Sequence, residues 1–289
     1  SYQWQSSPVG LNTWSNATGT GSTTATFTPP SVTPGSLDYR VLINATGNGC
    51  GQAISQTVTV IIDPDATASV SPVSSEVCIG GSVVLTATLT GGSSGVSLQW
   101  QINSSGWTDI PGQTGLTYNP STAVAGTTQY RVRVIDGSSG CSQPFSNITT
   151  VVVQNNATVS ITVNNAEVCI DGTALLTATV TGGSSGLTLQ WQSSPNNSTW
   201  SNVPGATSST YNAPTTVAGT TWYRVQVTDS QPLCADPASN SLSVLVRPDP
   251  TVSVSAQFAE ICIGGSSLLT AVVAGGSSQQ TLQWQSNTG

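Results

Sequence analysis

The sequence predicts an all-β protein made of tandem two-sheet sandwich domains that form a rod. The motif Gln-Trp-Gln recurs four times, and its tryptophans, Trp4, Trp100, Trp191 and Trp284, follow one another at intervals of 96, 91 and 93 residues. This period is too long for a solenoid repeat and suits one sandwich domain of roughly 100 residues. Short runs of alternating apolar and polar residues, separated by turn residues, fill each period.

Each motif is expected to form a strand with one buried face. In Leu98-Gln99-Trp100-Gln101 the two apolar residues are two positions apart, and so are the two glutamines. Successive side chains of a strand point to opposite faces, so Leu98 and Trp100 share one face and the glutamines share the other. A tyrosine begins a later strand in each of the first three repeats. The predicted core residues are Trp4, Trp100, Trp191, Trp284, Tyr39, Tyr130 and Tyr223.

The repeats divide the chain into two complete and two partial domains. Residues 64–154 and 155–247 each contain a full set of strands, labelled A to G. Residues 1–63 contain strands C to G, and residues 248–289 contain strands A to C. The linkers are short, and those at 63–65 and 247–250 contain proline, which favours a semi-rigid rod over flexibly joined domains. Because the chain begins and ends inside a repeat, we expect it to be part of a longer protein.

Composition excludes several classes of function. Only 6% of the residues are charged, the net charge is -7, and the chain contains no His. All five basic residues are arginines, so we expect neither nucleic-acid binding nor a polybasic membrane contact. No apolar run approaches the roughly 18–20 residues that span a bilayer. Nucleophiles based on His or Lys are impossible within these residues, so we expect no enzyme activity and no cofactor.

A tryptophan on strand C and a tyrosine that opens strand F are typical of an immunoglobulin-like sandwich. The motif Val77-Cys78-Ile79-Gly80-Gly81-Ser82 precedes strand B, Tyr130-Arg131-Val132 opens strand F, and Cys141 follows it. Together with Trp100, these residues resemble the tandem Ig-like repeats of very large secreted proteins, including adhesins, of gliding bacteria. The resemblance covers the entire chain. It implies export to the cell surface, commonly by the route that recognises a C-terminal signal domain, and hence an extracellular location.

Six regularly placed cysteines indicate disulfides and an oxidising compartment: Cys50, Cys78, Cys141, Cys169, Cys234 and Cys262. An Ig domain pairs a strand B cysteine, about 14 residues before the tryptophan, with one just after the strand F tyrosine. Neither position holds a cysteine here. Strands B and F run in the same direction, so Cys78 and Cys141 are expected near opposite ends of one domain. A disulfide requires Cα atoms within about 7 Å.

Stacking of consecutive domains offers the pairing that we prefer, in which Cys78 meets Cys234. Cys169 would then pair with a cysteine beyond residue 289, and Cys50 and Cys141 with cysteines that precede residue 1. Two alternatives remain open at this point. One is a Cys78–Cys141 pair within a single domain, and the other is free or interchain cysteines.

Two kinds of binding site are conceivable. Trp14, Trp107 and Trp200 recur seven to ten residues after a motif tryptophan, and exposed aromatic rings stack on sugars. The alternative is that these rings cover the sandwich edge or pack on the adjacent loop. Asp63, Asp65 and Asp249 lie at linkers and carry the oxygen ligands that Ca²⁺ prefers. The equivalent linker at 154–156 has no carboxylate, so we expect turn-forming aspartates and no metal.

The sequence therefore favours a structural function. We expect a repeat segment of a long extracellular filament or adhesin stalk that supplies length, stiffness and stability. The expected partners are neighbouring repeats and, in a fibre, other copies of the chain. The alternative is a carbohydrate- or surface-binding Ig-like module of a multidomain secreted enzyme, with a surface polysaccharide as its partner.

Overall fold

The fold is all-β in a computed structural model that describes residues 1–231 and 233–287. Its described part contains strands and no helix, and hence no helix long and apolar enough to cross a membrane. Two compact units are distinguished. The first comprises Ser1–Ser74, Val84–Pro120 and Thr128–Val151, and the second comprises Ser75–Val83, Ser121–Thr127 and the described residues from Val152 onward.

Residues 1–63 form a single five-stranded sheet. Its strand order is β2-β1-β3-β4, and β5 also pairs with β3. The first motif lies on β1, where Trp4 is the cross-strand neighbour of Val41 on β3. The strands are β1 (Tyr2–Pro8), β2 (Ser15–Asn16), β3 (Gly35–Asn44), β4 (Gln52–Ile54) and β5 (Val58–Ile62).

Residues 64–154 form two sheets, with strand orders β10-β9-β12-β13-β7 and β11-β8-β6. Buried residues of both sheets make up the sandwich core; Leu85 and Trp100 are both 0% exposed. The strands are β6 (Thr67–Ser71), β7 (Ser74–Cys78), β8 (Leu85–Thr90), β9 (Ser97–Asn103), β10 (Trp107–Asp109), β11 (Thr117–Tyr118), β12 (Gly126–Ile135) and β13 (Thr149–Gln154).

Residues 155–247 repeat this topology, with sheets β15-β21-β20-β17-β18 and β14-β16-β19. Trp191 from one sheet and Leu176 from the other are fully buried in one core cluster. The strands are β14 (Thr158–Val163), β15 (Glu167–Cys169), β16 (Leu175–Thr181), β17 (Leu187–Ser194), β18 (Ser201–Asn202), β19 (Thr210–Asn212), β20 (Gly219–Asp229) and β21 (Leu242–Arg247).

The last segment departs from the predicted arrangement. Residues 248–287 form only a two-stranded sheet of β22 (Thr251–Ala256) and β23 (Leu269–Ala274), and the predicted strand C around Trp284 is not a strand. Trp284 is 50% exposed and therefore lies outside a core. A strand needs a hydrogen-bonded neighbour, and the described part of this segment supplies no strand F for it. The last two residues of the predicted segment lie outside the described residues.

The alternation predicted for the motif is present in both complete sandwiches. Leu98 is 2% and Trp100 0% exposed, and the Trp100 Nε1–H donates a hydrogen bond to the Gly115 carbonyl at 2.8 Å. On the opposite face, the Gln99 amide donates to the carbonyls of Trp100 at 2.9 Å and Ile110 at 2.7 Å. The buried indole thus has its polar atom satisfied, and the first glutamine of the motif secures the turn that follows.

A third aromatic ring lies between the motif tryptophan and the strand F tyrosine in three of the repeats. In residues 64–154, Tyr118 lies 5.5 Å from the ring centroids of both Trp100 and Tyr130. The strand F tyrosines Tyr39, Tyr130 and Tyr223 are only 3–4% exposed, whereas Trp4 is half-buried. Burial raises the pKa of Tyr223 to about 12, so its phenol stays neutral. The equivalent rings are Trp4, Phe27 and Tyr39, and Trp191, Tyr211 and Tyr223.

Candidate functional site

The linker that enters each repeat is fixed against a Gly-Gly turn. The Gly92 N–H donates to the Pro64 carbonyl at 2.8 Å. Gly91 has a φ of +72°, and a Cβ at this position would lie 2.5 Å from the Asp65 carbonyl oxygen, so only glycine fits. The same turn recurs with Gly182, Gly183 and Asn155, and with Gly275, Gly276 and Pro248. Each of these three linkers is therefore held by a backbone hydrogen bond to its Gly-Gly turn.

A buried carboxylate orders the loop that follows this turn. Asp136 is 1% exposed and accepts hydrogen bonds from the Ser93 N–H at 2.8 Å, the Ser93 hydroxyl at 2.7 Å and the Ser138 N–H at 3.0 Å. These hydrogen bonds, led by that of the Ser93 backbone, lower the pKa of Asp136 to about 2. The loop is thereby tied to the end of β12.

Asp229 occupies the equivalent position in the next repeat. Its carboxylate accepts hydrogen bonds from the Ser184 N–H at 2.8 Å, the Ser184 hydroxyl and the Gln231 N–H at 3.0 Å. Burial opposes its ionisation, but these hydrogen bonds outweigh that effect and lower the pKa of Asp229. The loop Ser184–Ser185 is thus held in place to receive a second carboxylate.

That second carboxylate is Glu76, on β7 of the preceding repeat. It accepts hydrogen bonds from the Ser185 hydroxyl at 2.7 Å and the Ser185 N–H at 3.2 Å, and from the Gln154 amide at 3.0 Å. The hydrogen bonds, led by that of the Ser185 hydroxyl, lower the pKa of Glu76. The contact joins β7 of residues 64–154 to a loop of residues 155–247.

The same contact recurs one repeat later. Glu167 accepts hydrogen bonds from the Ser278 N–H at 2.9 Å and the Ser278 hydroxyl at 3.1 Å. It is also ion-paired with Arg247, which is the main reason that the pKa of Glu167 is lowered. A glutamate carboxylate that accepts hydrogen bonds from a serine of the next repeat is therefore a periodic feature of the chain.

A disulfide completes the first of these junctions. Cys78 and Cys234 are bonded, with Cα atoms 5.1 Å apart and a sequence separation of 156 positions. This is the pairing that the stacking argument preferred, and it rules out a Cys78–Cys141 bond. Cys50, Cys141, Cys169 and Cys262 are unpaired in the described part of the chain. Their pairing with cysteines outside residues 1–289 stays a prediction.

The same junction contains one cluster of metal-ligating types. The Sγ atoms of Cys78 and Cys234 and a carboxylate oxygen of Asp229 lie within 4.8 Å of one another. Both sulfurs are consumed by the disulfide, so neither is a thiolate that could bind a metal. At the linkers, Asp65 instead accepts a hydrogen bond from the Ser142 N–H at 3.2 Å.

An arginine guanidinium lies over the ring of each of the three tryptophans considered for sugar stacking. The guanidinium carbon of Arg131 lies 4.2 Å from the Trp107 ring centroid and 3.7 Å from that of Phe145. The second glutamine of the motif orients this arginine, because the Arg131 Nε–H donates to Gln101 at 2.8 Å. Arg40 lies 4.1 Å from Trp14 and contacts Gln5, and Arg224 lies 4.4 Å from Trp200 and contacts Gln192.

Sequence reasoning missed this arginine–glutamine–tryptophan group. A usable signal was present, because Tyr-Arg is repeated at residues 39–40, 130–131 and 223–224. The arginine and the second glutamine are direct cross-strand neighbours in all three sheets, as in the Gln101 and Arg131 pair. Each tryptophan is half-buried, and one face of its ring is covered by a cation.

The fold and the repeated junction define a protein of tandem Ig-like β-sandwich domains. The chain belongs to the family described as "Domain of unknown function (DUF8696)", whose model matches residues 1–64, 67–155 and 158–248. No protein with a curated description matches it.

Solved structures of Ig domains are similar to the chain. The N-terminal four Ig domains of Dscam1 isoform 4.44 are 14% identical, with 73% of this chain and 54% of that chain covered and a TM-score of 0.39. A marsupial T cell receptor is 12% identical, with 66% and 78% covered and a TM-score of 0.43. Murine CEACAM1b is 14% identical, with 63% and 100% covered and a TM-score of 0.33. The chain thus spans about half the length of the Dscam1 structure.

Proposed function

We propose that this chain is a structural segment of a long extracellular filament or adhesin stalk, whose repeats provide length, stiffness and stability. The observation that carries the proposal is the Cys78–Cys234 disulfide. A bond between the two sheets of one sandwich stabilises that sandwich alone. A bond between consecutive repeats fixes the junction between them, and the junction is the weakest point of a chain of small domains.

The periodic contacts support this role. The same hydrogen bond recurs one repeat apart: the Ser185 hydroxyl donates to Glu76, and the Ser278 hydroxyl donates to Glu167. The Gly-Gly turns hold the short linkers in both places. The proposal includes the division of the chain into domains at residues 1–63, 64–154, 155–247 and 248–289, and the rod that such repeats would form.

We also propose an extracellular location, on a bacterial cell surface. The disulfide supports it, because such bonds persist in oxidising compartments. The resemblance of Val77-Cys78-Ile79-Gly80-Gly81-Ser82 and Tyr130-Arg131-Val132 to repeats of secreted proteins of gliding bacteria points the same way. A non-enzymatic role agrees with the absence of His and Lys from the sequence.

The alternative, a carbohydrate- or surface-binding module, is less well supported by the aromatic residues. A sugar ring stacking on Trp107 would have to use the face that Arg131 leaves uncovered, or displace a guanidinium that also contacts Phe145 and Gln101. The same condition applies to Trp14 and Trp200. These groups are better suited to stiffening the outer face of the sheet.

Electron microscopy of the purified chain, with and without reductant, tests the proposal. We expect a narrow distribution of angles between the two complete domains in the oxidised protein, and a broader one after reduction or in a Cys78→Ser/Cys234→Ser variant. Cys141→Ser, which leaves the disulfide intact, is the matched control. Identical distributions for all samples would overturn the stiffening role. Retention on a polysaccharide column that is lost with Trp107→Ala and Trp200→Ala would favour the binding module.

A further inference from the structure

The two sulfurs of the Cys78–Cys234 disulfide differ in how far solvent can reach them. Cys78 is 0% exposed, whereas Cys234 is half-buried. Thiol–disulfide exchange begins when a thiolate attacks one of the two sulfurs, and its rate depends on access to that sulfur. Solvent access therefore selects Cys234 as the attacked sulfur, and Cys78 becomes the leaving group.

The backbone around the two cysteines differs in the same direction. Cys78 is the last residue of β7, which pairs with β13 in a five-stranded sheet. Cys234 lies in the loop after β20, and its N–H donates a hydrogen bond of 3.3 Å to the Gln231 carbonyl. The preceding Leu233 is 68% exposed and left-handed, with a φ of +67°, which is uncommon for a bulky side chain. An added group on Cys234 thus displaces only a loop, whereas one on Cys78 would disrupt the sheet.

A buried carboxylate lies beside the leaving sulfur. The Asp229 Oδ2 is 4.0 Å from the Cys78 Sγ, and Asp229 is only 8% exposed. Burial opposes the ionisation of Asp229, but its hydrogen bonds lower its pKa overall, so it is negative near neutral pH. A thiolate forming at Cys78 would be a second negative charge at this position. Like charges raise the pKa of the thiol, and a thiol of higher pKa leaves more slowly.

A second carboxylate, Glu76, lies two residues before Cys78 on β7. Hydrogen bonds led by that of the Ser185 hydroxyl lower the pKa of Glu76, while the charge of Asp229 raises it. The side of the junction that holds Cys78 therefore contains two carboxylates, both of which oppose the formation of a thiolate there.

We propose that Cys234 is the site at which a small thiol modifies this junction, and that Asp229 keeps the modification slow. The attacking thiolate sulfur bonds to the Cys234 Sγ, and the bond between the two cysteines breaks. Its electron pair stays on the Cys78 Sγ, which takes a proton from water. The products are a mixed disulfide on Cys234 and a buried thiol at Cys78. The site and rate of attack are properties beyond the stalk function, which requires only that the bond be present.

A trapping experiment with 2-mercaptoethanol tests the site of attack. The oxidised 289-residue chain, with its remaining thiols blocked by N-ethylmaleimide, is exposed briefly to the reagent and quenched in acid. Peptic digestion at low pH and mass spectrometry then locate the added group. We expect the mixed disulfide on Cys234 and a free thiol at Cys78. A mixed disulfide on Cys78, or equal amounts on both cysteines, would overturn the proposed site.

The rate of the same reaction tests the role of the carboxylate. Asp229→Asn should speed the first attack by about tenfold, because it removes the charge beside the leaving sulfur. Asp136→Asn is the matched control, since this equivalent carboxylate of residues 64–154 lies beside no disulfide in the described part of the chain. Ser184→Ala weakens the same loop but keeps the charge, so it should change the rate much less. Equal acceleration by Asp229→Asn and Ser184→Ala would overturn the role of the charge.

The titration of Cys78 separates this charge effect from a merely structural role of Asp229. In a Cys234→Ser variant with its other thiols blocked, ultraviolet absorbance reports the pH at which the Cys78 thiolate forms. Adding Asp229→Asn should move this titration to lower pH, because the thiolate then lacks a neighbouring negative charge. An unshifted titration would refute the role of Asp229, whatever the trapping experiment shows for Cys234.

Discussion

When the two ends of the chain are pulled apart, the disulfide determines which segments bear the tension. Cys78 and Cys234 are 156 positions apart in sequence, so the 77 residues before Cys78 and the 55 after Cys234, 132 in all, lie outside the closed loop. Force applied at the termini passes from Cys78 directly to Cys234. The segments that carry Trp100 and Trp191 lie inside the loop and bear no tension while the bond is intact.

The expected lengths follow from the reach of an extended chain, which is at most about 3.6 Å per residue. The oxidised protein should extend to about 480 Å, and the reduced protein to about 1,040 Å, because reduction releases about 560 Å of stored chain. Single-molecule force spectroscopy with tags on both termini measures this difference directly. The increment far exceeds that from any single strand, so it identifies the bond responsible.

Two variants make the force experiment decisive. Cys78→Ser/Cys234→Ser should reach the full length without reductant, and Cys141→Ser should behave like the wild type. Full extension of the oxidised wild-type protein, or a released length that differs clearly from the enclosed sequence, would refute the connectivity.

Three further predictions concern single repeats. Gly91→Ala should destabilise the second repeat by at least about 1–2 kcal/mol in chemical unfolding, because its backbone is left-handed and its Cβ would overlap the Asp65 carbonyl. Asp136→Asn should lower the thermal midpoint near neutral pH. The wild type should lose this stabilisation as the pH falls from 3.8 through about 2, because the pKa of Asp136 is lower in the folded than in the unfolded protein. The variant lacks this carboxylate, so it should not show that loss of stability over the same pH range. Trp191→Ala, at a fully buried site, should cost about 3–5 kcal/mol in the unfolding of its repeat.

Each of these predictions has a control of its own. At Gly95 a Cβ would meet nothing closer than 3.8 Å, so Gly95→Ala should stay within about 0.5 kcal/mol of the wild type. Equal losses for Gly91→Ala and Gly95→Ala would contradict the overlap. An unchanged acid profile for Asp136→Asn would show that its hydrogen bonds do not stabilise the fold. Trp284→Ala, at a position 50% exposed, should be nearly neutral, and a large loss there would contradict its placement.

The features that could be predicted from the sequence are those that a local pattern determines. Alternation within Leu98-Gln99-Trp100-Gln101 is enough to assign the buried face, since the period of a strand is two. The Cys78–Cys234 disulfide could be predicted because the usual Ig positions lack cysteine. For Trp284 the same pattern failed, because a strand also needs a neighbour that the described part of its segment lacks.

The contacts at the junction between repeats could not be predicted from the sequence, because the residues that they join show no unusual local pattern. Glu76 and Ser185 are 109 residues apart, and a glutamate and a serine at the surface are common. Their pairing depends on the loop geometry that Asp229 imposes on Ser184, which no local pattern encodes. The arginines on Trp107 and Trp200 likewise depend on cross-strand register rather than on spacing along the chain.

The disulfide also changes what a single cut in the backbone does. Between the second and third repeats the chain is connected twice, once through the peptide bonds of residues 154–156 and once through Cys78 and Cys234. A protease that cleaves one peptide bond anywhere between these cysteines leaves both fragments attached. Separation requires a second event of a different chemistry, a reduction. A chain with this redundancy survives a cut in the linker that would sever a chain whose domains are each bridged only within themselves.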